Sequence, residues 1–385
     1  MEYNTYSTSR HTQREVQPAP KNRVVVGGVN WVILITTILL LSFGMVMVFS
    51  ASYDKYGYYY LSRNIIWALS GGVLMLIFSQ INYNGFNNRQ LALALYALSI
   101  VLLILVLVLG RSVGGAKRRI AGIQPSEFVK VFTIIILAHM LDTNKKFTET
   151  HKGFWTCLIA FVGVPVGLIL LGNASTAIIL AVVCLAMMFT VVKSYRWFFE
   201  VGLVGVVGFI GMISFGKGFR AARINAWLDP FKDTSDTGYQ VVHSLYAVAS
   251  GGLSGLGLGN SREKLSYLPE AHNDMIFSII CEELGLPGAA MLVILFCVLI
   301  FCGYRAAIKC YNTFGSLVAV GITTMIAFQV IINMGVATNT IPNTGIPMPF
   351  ISYGGSSLWI NMVSIGILLS ISRFFKDNRK LKKKE

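Results

Sequence analysis

The sequence predicts an all-α integral membrane protein of about ten transmembrane helices, with a long extracellular loop between the seventh and eighth and both termini cytoplasmic. Three observations carry this reading. The 385 residues are 55% hydrophobic and only 13% charged, with a mean hydropathy of +0.65, which excludes a water-soluble domain. Ten apolar stretches are long enough, or nearly so, to cross ~30 Å of hydrocarbon as helix. Both ends of the chain are basic, and an even number of crossings returns them to one side.

The stretches run over 31–50, 65–81, 91–109, 128–141 and 154–171 in the first half, then 175–192, 197–215, 286–302, 317–336 and 358–374. The first follows a polar segment with no small-residue cleavage site, so it reads as a retained signal-anchor helix. The chain therefore divides into a basic tail at 1–28, a membrane domain at 29–374 holding the loop at about 217–283, and a second basic tail at 375–385. Its six cysteines lie in or beside apolar runs without CxxC spacing, which suits packing and neither a metal centre nor a disulfide framework.

The tails carry Arg10, Arg14, Lys21 and Arg23 at one end and "RFFKDNRKLKKKE" at the other, so the positive-inside rule puts both in the cytoplasm. Two outside loops then break that rule. One holds Arg111, Lys117, Arg118 and Arg119; the other holds Lys217, Arg220, Arg223, Lys232, Arg262 and Lys264. These cations either meet anionic headgroups or build an outward-facing site for a polyanion such as a diphosphate lipid, for which Arg and Lys are the natural clamps.

Three irregular segments stand out. In the long loop, "QVVHSLYAVASGG" has apolar residues at helical spacing and is expected to lie on the membrane surface as an amphipathic helix. The following "GGLSGLGLGN" lacks a preceding strand and a GK[ST] ending, so a flexible or anion-nest role outweighs a nucleotide motif. "NTIPNTGIPMPFISYGGSS" has no charge, and backbone of this kind at membrane depth must be buried in protein or line a wet cavity. Its Ser352 and Ser356 could present hydroxyls to a ligand. In "QPSEFVK", Pro125, Ser126 and Glu127 read as a helix opening, while Glu127 and Lys130 form an ionisable pair three residues apart on one face.

"QPSEFVK", "GYQVVHSLYAVASGGLSGLGLG", "LPEAHNDMIF", "EELGLPG" and "PFISYGGSS", in this order, resemble the SEDS family, the FtsW, RodA and SpoVE group of bacterial shape, division and sporulation proteins. The resemblance runs from the first helix to Arg373. It implies a ten-helix glycosyltransferase that polymerises lipid II, an undecaprenyl-diphosphate-linked disaccharide peptide, at the outer face of the plasma membrane. It also implies a class B penicillin-binding protein as transpeptidase partner, within a divisome or elongasome; no nucleic acid is expected.

The family's essential acid matches Asp274, the expected general base. Its "QPSE…K" acid and base match Glu127 and Lys130, its loop arginine matches Arg118, and its paired acids match Glu282 and Glu283. Arg223 and Lys264 are further candidates to stabilise the diphosphate. Glu270 would tune Asp274 from the same face if that stretch is helical, or share a Mg or Mn ion with it, although no spacing establishes one. Two departures are Arg119 where the family has Trp, and Asn173 where it commonly has Asp. On the residues alone, two rivals remain: a lipid II flippase or other polytopic transporter, and a non-enzymatic scaffold.

Overall fold

The computed structural model describes residues 24–376 apart from 114–115, 121, 216–218, 233–237 and 266. Each of the ten apolar runs falls in a helix: α1 Trp31–Tyr56, α2 Tyr59–Gln80, α3 Arg89–Leu109, α4 Pro125–Thr143, α5 His151–Gly172, α6 Ala174–Phe189 and α7 Tyr195–Phe215. The long loop adds α8 Phe219–Leu228 and α9 Tyr239–Gly251, and α10 Ile276–Lys309, α11 Thr313–Ala337 and α12 Gly355–Arg373 complete the bundle. Among the described residues seven helices are long and apolar enough to cross a membrane, namely α1, α2, α3, α5, α10, α11 and α12. The protein is thus a multi-pass membrane protein. α6 is shorter, and α4 carries the buried Glu127 and Lys130 in its first two turns.

Asparagines start several helices, since an Asx oxygen can satisfy the N–H groups that the first turn leaves open. Asn30 accepts from Val32 and Ile33, Asn88 from Gln90, Asn173 from Thr176 and Asn312 from Gly315. Asn173 therefore caps α6.

α11 and α12 are largely buried while α2 and α3 turn most of their surface outward, so the late helices form the hub and the early ones face lipid. Small residues allow the close approaches that lipid-phase packing favours. A Cβ on Gly366 of α12 would lie 2.6 Å from the Met75 carbonyl of α2, and one on Gly321 of α11 would meet Ile134 of α4 at 2.7 Å.

The fold is not purely helical. β1 (Val24–Val26) pairs antiparallel with β4 (Phe374–Lys376), and β2 (Arg111–Val113) with β3 (Ala116–Arg119). The first pairing joins the chain just before α1 to the chain just after α12, so the two tails leave from one end of the bundle.

The surface placement expected for the amphipathic segment does not hold. α9 packs its buried face of Val241, Val242, Ser244 and Ala247 into the protein. Ser244 Oγ bonds the Ala337 carbonyl at 2.8 Å and lies 2.6 Å from Ser278 Oγ of α10. Gly251 sits so close to α10 that a Cβ would be 1.9 Å from the Cys281 carbonyl. An apolar stripe fits a protein face as readily as a bilayer.

Candidate functional site

The chemistry-bearing residues gather at the end of the bundle opposite the tails, around the start of α10. The Gly285 backbone (φ 61°, ψ −157°) breaks this helix after about two and a half turns, and Pro287 follows. Pro287 has no N–H to give back to the Glu283 carbonyl, and the break at Gly285 interrupts the ladder beside Glu282, so both carbonyls need donors from elsewhere. The glycine-rich loop supplies them: Leu256 N–H donates to the Glu282 carbonyl and Gly257 N–H to that of Glu283, both at 2.9 Å. A Cβ on Gly255 would lie 2.4 Å from the Glu283 carbonyl, so only glycine permits this contact. The loop is a fitted collar around the kink, which corrects both the flexible and the anion-nest readings.

The Glu282 and Glu283 side chains are wholly buried and hold the same loop. Glu282 accepts from the Ser261 hydroxyl, from Arg262 N at 2.9 Å and from Glu263 N at 3.4 Å. Glu283 pairs with Lys264 at 3.1 Å and accepts from Ser50 of α1 at 2.6 Å. Lys264 is itself buried, donates to the Gly259 carbonyl at 2.7 Å and lies 3.4 Å from Asp54. Lys264 and Glu283, both expected at the substrate, are thus brought together as a buried ion pair tying the loop to α1 and α10. Ser50 and Asp54 were missed in the sequence, where nothing separates them from other short polar residues near a helix end.

Residues 267–275 form turns, and α10 begins only at Ile276. Glu270 stands in a left-handed conformation (φ 53°), exposed, with its carboxylate 3.3 Å from Asn273 Nδ2. The helical face that would have let it tune Asp274 does not exist, because the chain is turning here. Met275, not Asp274, holds the N-cap position of α10.

Two elements clamp the chain around Asp274. Asn333 of α11, 1% exposed, donates from its single amide nitrogen to the Asp274 carbonyl and to the Ile346 carbonyl, each at 2.8 Å. Tyr353 N–H donates to the His272 carbonyl at 2.9 Å. The His272 ring is buried against Tyr60 at 4.1 Å, with Tyr56 and Tyr353 each 5.9 Å away. Burial pushes its pKa below the usual range, Glu270 opposing and Lys55 adding to the effect.

The charge-free segment between α11 and α12 is buried in protein, one of the two placements open to it. Ile346, Met348, Phe350, Ile351 and Ser352 are all buried. A Cβ on Gly44, midway along α1, would lie 2.3 Å from the Phe350 carbonyl, so this irregular backbone rests on the middle of a spanning helix. Ser352 Oγ accepts from Met348 N–H at 2.7 Å within the segment's own turn. Ser356 Oγ accepts a 3.4 Å bond from the backbone N–H of Gln124, the residue before α4. Arg223 of α8 donates to the Asn343 carbonyl at 3.0 Å, and Trp227 to that of Asn339 at 3.1 Å, so α8 is stitched to this segment.

At the start of α4, Pro125 takes the first helical position and Gln124, not Ser126, the cap. Glu127 and Lys130 are buried and paired at 3.0 Å, as their spacing suggested. Arg118 belongs to β3, and its side chain lies outside the described residues. Among the described residues no three His, Cys, Asp or Glu side chains group as a metal site.

Fold and site define a polytopic helical membrane protein whose buried ion pairs and acid-bearing loop collect at the end remote from its tails. The chain belongs to the FtsW, RodA and SpoVE family of cell cycle proteins, whose model matches residues 30–377. It is 36% identical over 354 residues to stage V sporulation protein E of Bacillus subtilis, covering 89% of this chain and 96% of that one. A probable peptidoglycan glycosyltransferase FtsW of Trichlorobacter lovleyi is 37% identical over 361 residues, covering 90% and 93%. Among solved structures, a chain of a peptidoglycan synthase complex superposes with a TM-score of 0.75 at 25% identity, covering 90% of this chain and 98% of that one. Thermus thermophilus RodA superposes with a TM-score of 0.67 at 25% identity, covering 90% and 97%.

Proposed function

We propose that the protein is a peptidoglycan glycosyltransferase that polymerises lipid II at the outer face of the bacterial plasma membrane, with ten helices crossing and both tails cytoplasmic. The observation that carries the reading is the setting of Asp274: a carboxylate-bearing turn clamped by Asn333 and Tyr353 at the end remote from the basic tails. Membership of a family whose relatives include probable peptidoglycan glycosyltransferases supports it.

In this mechanism Asp274 takes the proton from the 4-hydroxyl of the acceptor sugar. That oxygen attacks the anomeric carbon of the growing strand, and the bond from this carbon to the lipid diphosphate breaks. Attack from the face opposite the leaving group inverts the centre and gives a β-1,4 link from an α-linked donor. The departing diphosphate gathers negative charge, which Arg118, Lys130 and Arg223 are suited to stabilise. Glu127 holds Lys130 in place. Lys264 and Glu283 act through position, by fixing the collar over the α10 kink. A class B penicillin-binding protein of the divisome or elongasome crosslinks the product.

The test is polymerisation of lipid II by purified protein, with and without a class B penicillin-binding protein. The Asp274→Asn variant is expected to make no glycan strands while keeping its fold and partner. Strands of normal length from that variant would remove Asp274 as base. Movement of lipid II across a bilayer by the native protein, without strand growth, would favour a flippase instead.

A further inference from the structure

A cavity of about 480 Å³ lies at the tail-side end of the bundle, far from Asp274, between α3, α4 and the middle of α5. Its volume falls in the ~300–1,000 Å³ range of ligand sites. One wall is a π-helical stretch of α5, Leu158–Gly163, and a break of this kind inside an α-helix is frequent at functional sites. The Tyr96 hydroxyl donates to the Ala160 carbonyl at 2.6 Å and fixes that wall against α3. Tyr96, Ile136, Met140 and Phe161 line the interior, and the exposed Leu93 at the edge opens it sideways toward hydrocarbon.

The cavity also has a polar end. His139 lines it at 7% exposure, with Nδ1 2.6 Å from Asn87 Oδ1. The Asn87 amide nitrogen donates to Asp142 at 3.1 Å, so its oxygen faces the ring and can only accept. Arg89, first residue of α3, stands at the rim and makes no ion pair among the described residues.

We propose that this cavity is a binding site for an anionic phospholipid of the leaflet on the side of the tails. An acyl chain fills the apolar interior through the opening at Leu93, and the phosphate rests beside Arg89. Basic pockets between membrane helices on the cytoplasmic side recognise anionic headgroups in this way. A zwitterionic lipid would gain the same apolar contact but less from the unpaired guanidinium.

The full chain in detergent is titrated with phosphatidylglycerol, phosphatidylcholine or inorganic phosphate, and bound lipid is counted by native mass spectrometry alongside the thermal midpoint. Phosphatidylglycerol is expected to bind and raise the midpoint more than phosphatidylcholine. Arg89→Gln should weaken phosphatidylglycerol about fivefold, the effect of ~1 kcal/mol for one cation near a headgroup, and phosphatidylcholine by less. Ala92→Phe, which fills the cavity, should remove the bound lipid. Equal binding of both lipids, retained preference in Arg89→Gln, or the same rise from phosphate alone would each overturn the proposal.

Discussion

Asn333 shows how much one residue can decide in a membrane helix. An amide among apolar neighbours is costly unless its hydrogen bonds are made, and this one supports two pieces of irregular backbone at once, the Asp274 turn and the charge-free segment. Asn333→Leu would leave both carbonyls without this donor, at about 1–3 kcal/mol for each buried group left unsatisfied. On the proposed mechanism the displaced base lowers kcat more than the apparent affinity for lipid II, and steady-state kinetics separate the two. An equal loss in the Asn333→Leu variant of affinity and turnover would mark general unfolding instead. The residue was open to sequence reasoning as a polar side chain in an apolar run. Its partners were not, because both are main-chain carbonyls, one 59 residues away and neither written in side-chain type.

Among elements, α10 joins what the sequence showed to what it hid. "EELGLPG" announces a helix disturbed by glycine and proline, and the kink is there. What the kink does follows from carbonyls that no helical N–H can reach, and from a glycine loop some thirty residues earlier whose N–H groups reach them. Spacing along one chain does not report that kind of pairing. Of the two acids in the same motif, Glu283 faces a cation, Lys264, but inside the protein. Lys264→Met would strand a buried carboxylate, a loss of about 3–5 kcal/mol, whereas the partly exposed Asp54 adds little. The double variant Lys264→Met, Glu283→Gln is expected to regain part of that stability in thermal unfolding. A double variant no more stable than the single one would mean that the pair does not couple the collar to α10.

At the scale of the whole molecule the ten apolar runs were legible because hydrocarbon demands length and composition, and all ten are helical. The packing order was not, since lipid-facing and buried helices are equally apolar and only interhelical contact distinguishes them. The pairing of β1 with β4 puts the two basic tails at one end, and the Asp274 turn, the Lys264 pair and the exposed Lys55 lie at the other. With the tails in the cytoplasm, substrate would have to approach the Asp274 end from outside. This fixes a labelling pattern in intact cells. A membrane-impermeant maleimide should react with Lys55→Cys and with Asn260→Cys on the exposed collar, but with Gln80→Cys, at the tail end of α2, only after lysis. The reverse pattern would place the Asp274 turn in the cytoplasm. A polymerase of lipid-linked sugars for the outer wall could not then work from that turn, so the experiment bears on the proposed function independently of any assay of glycan synthesis.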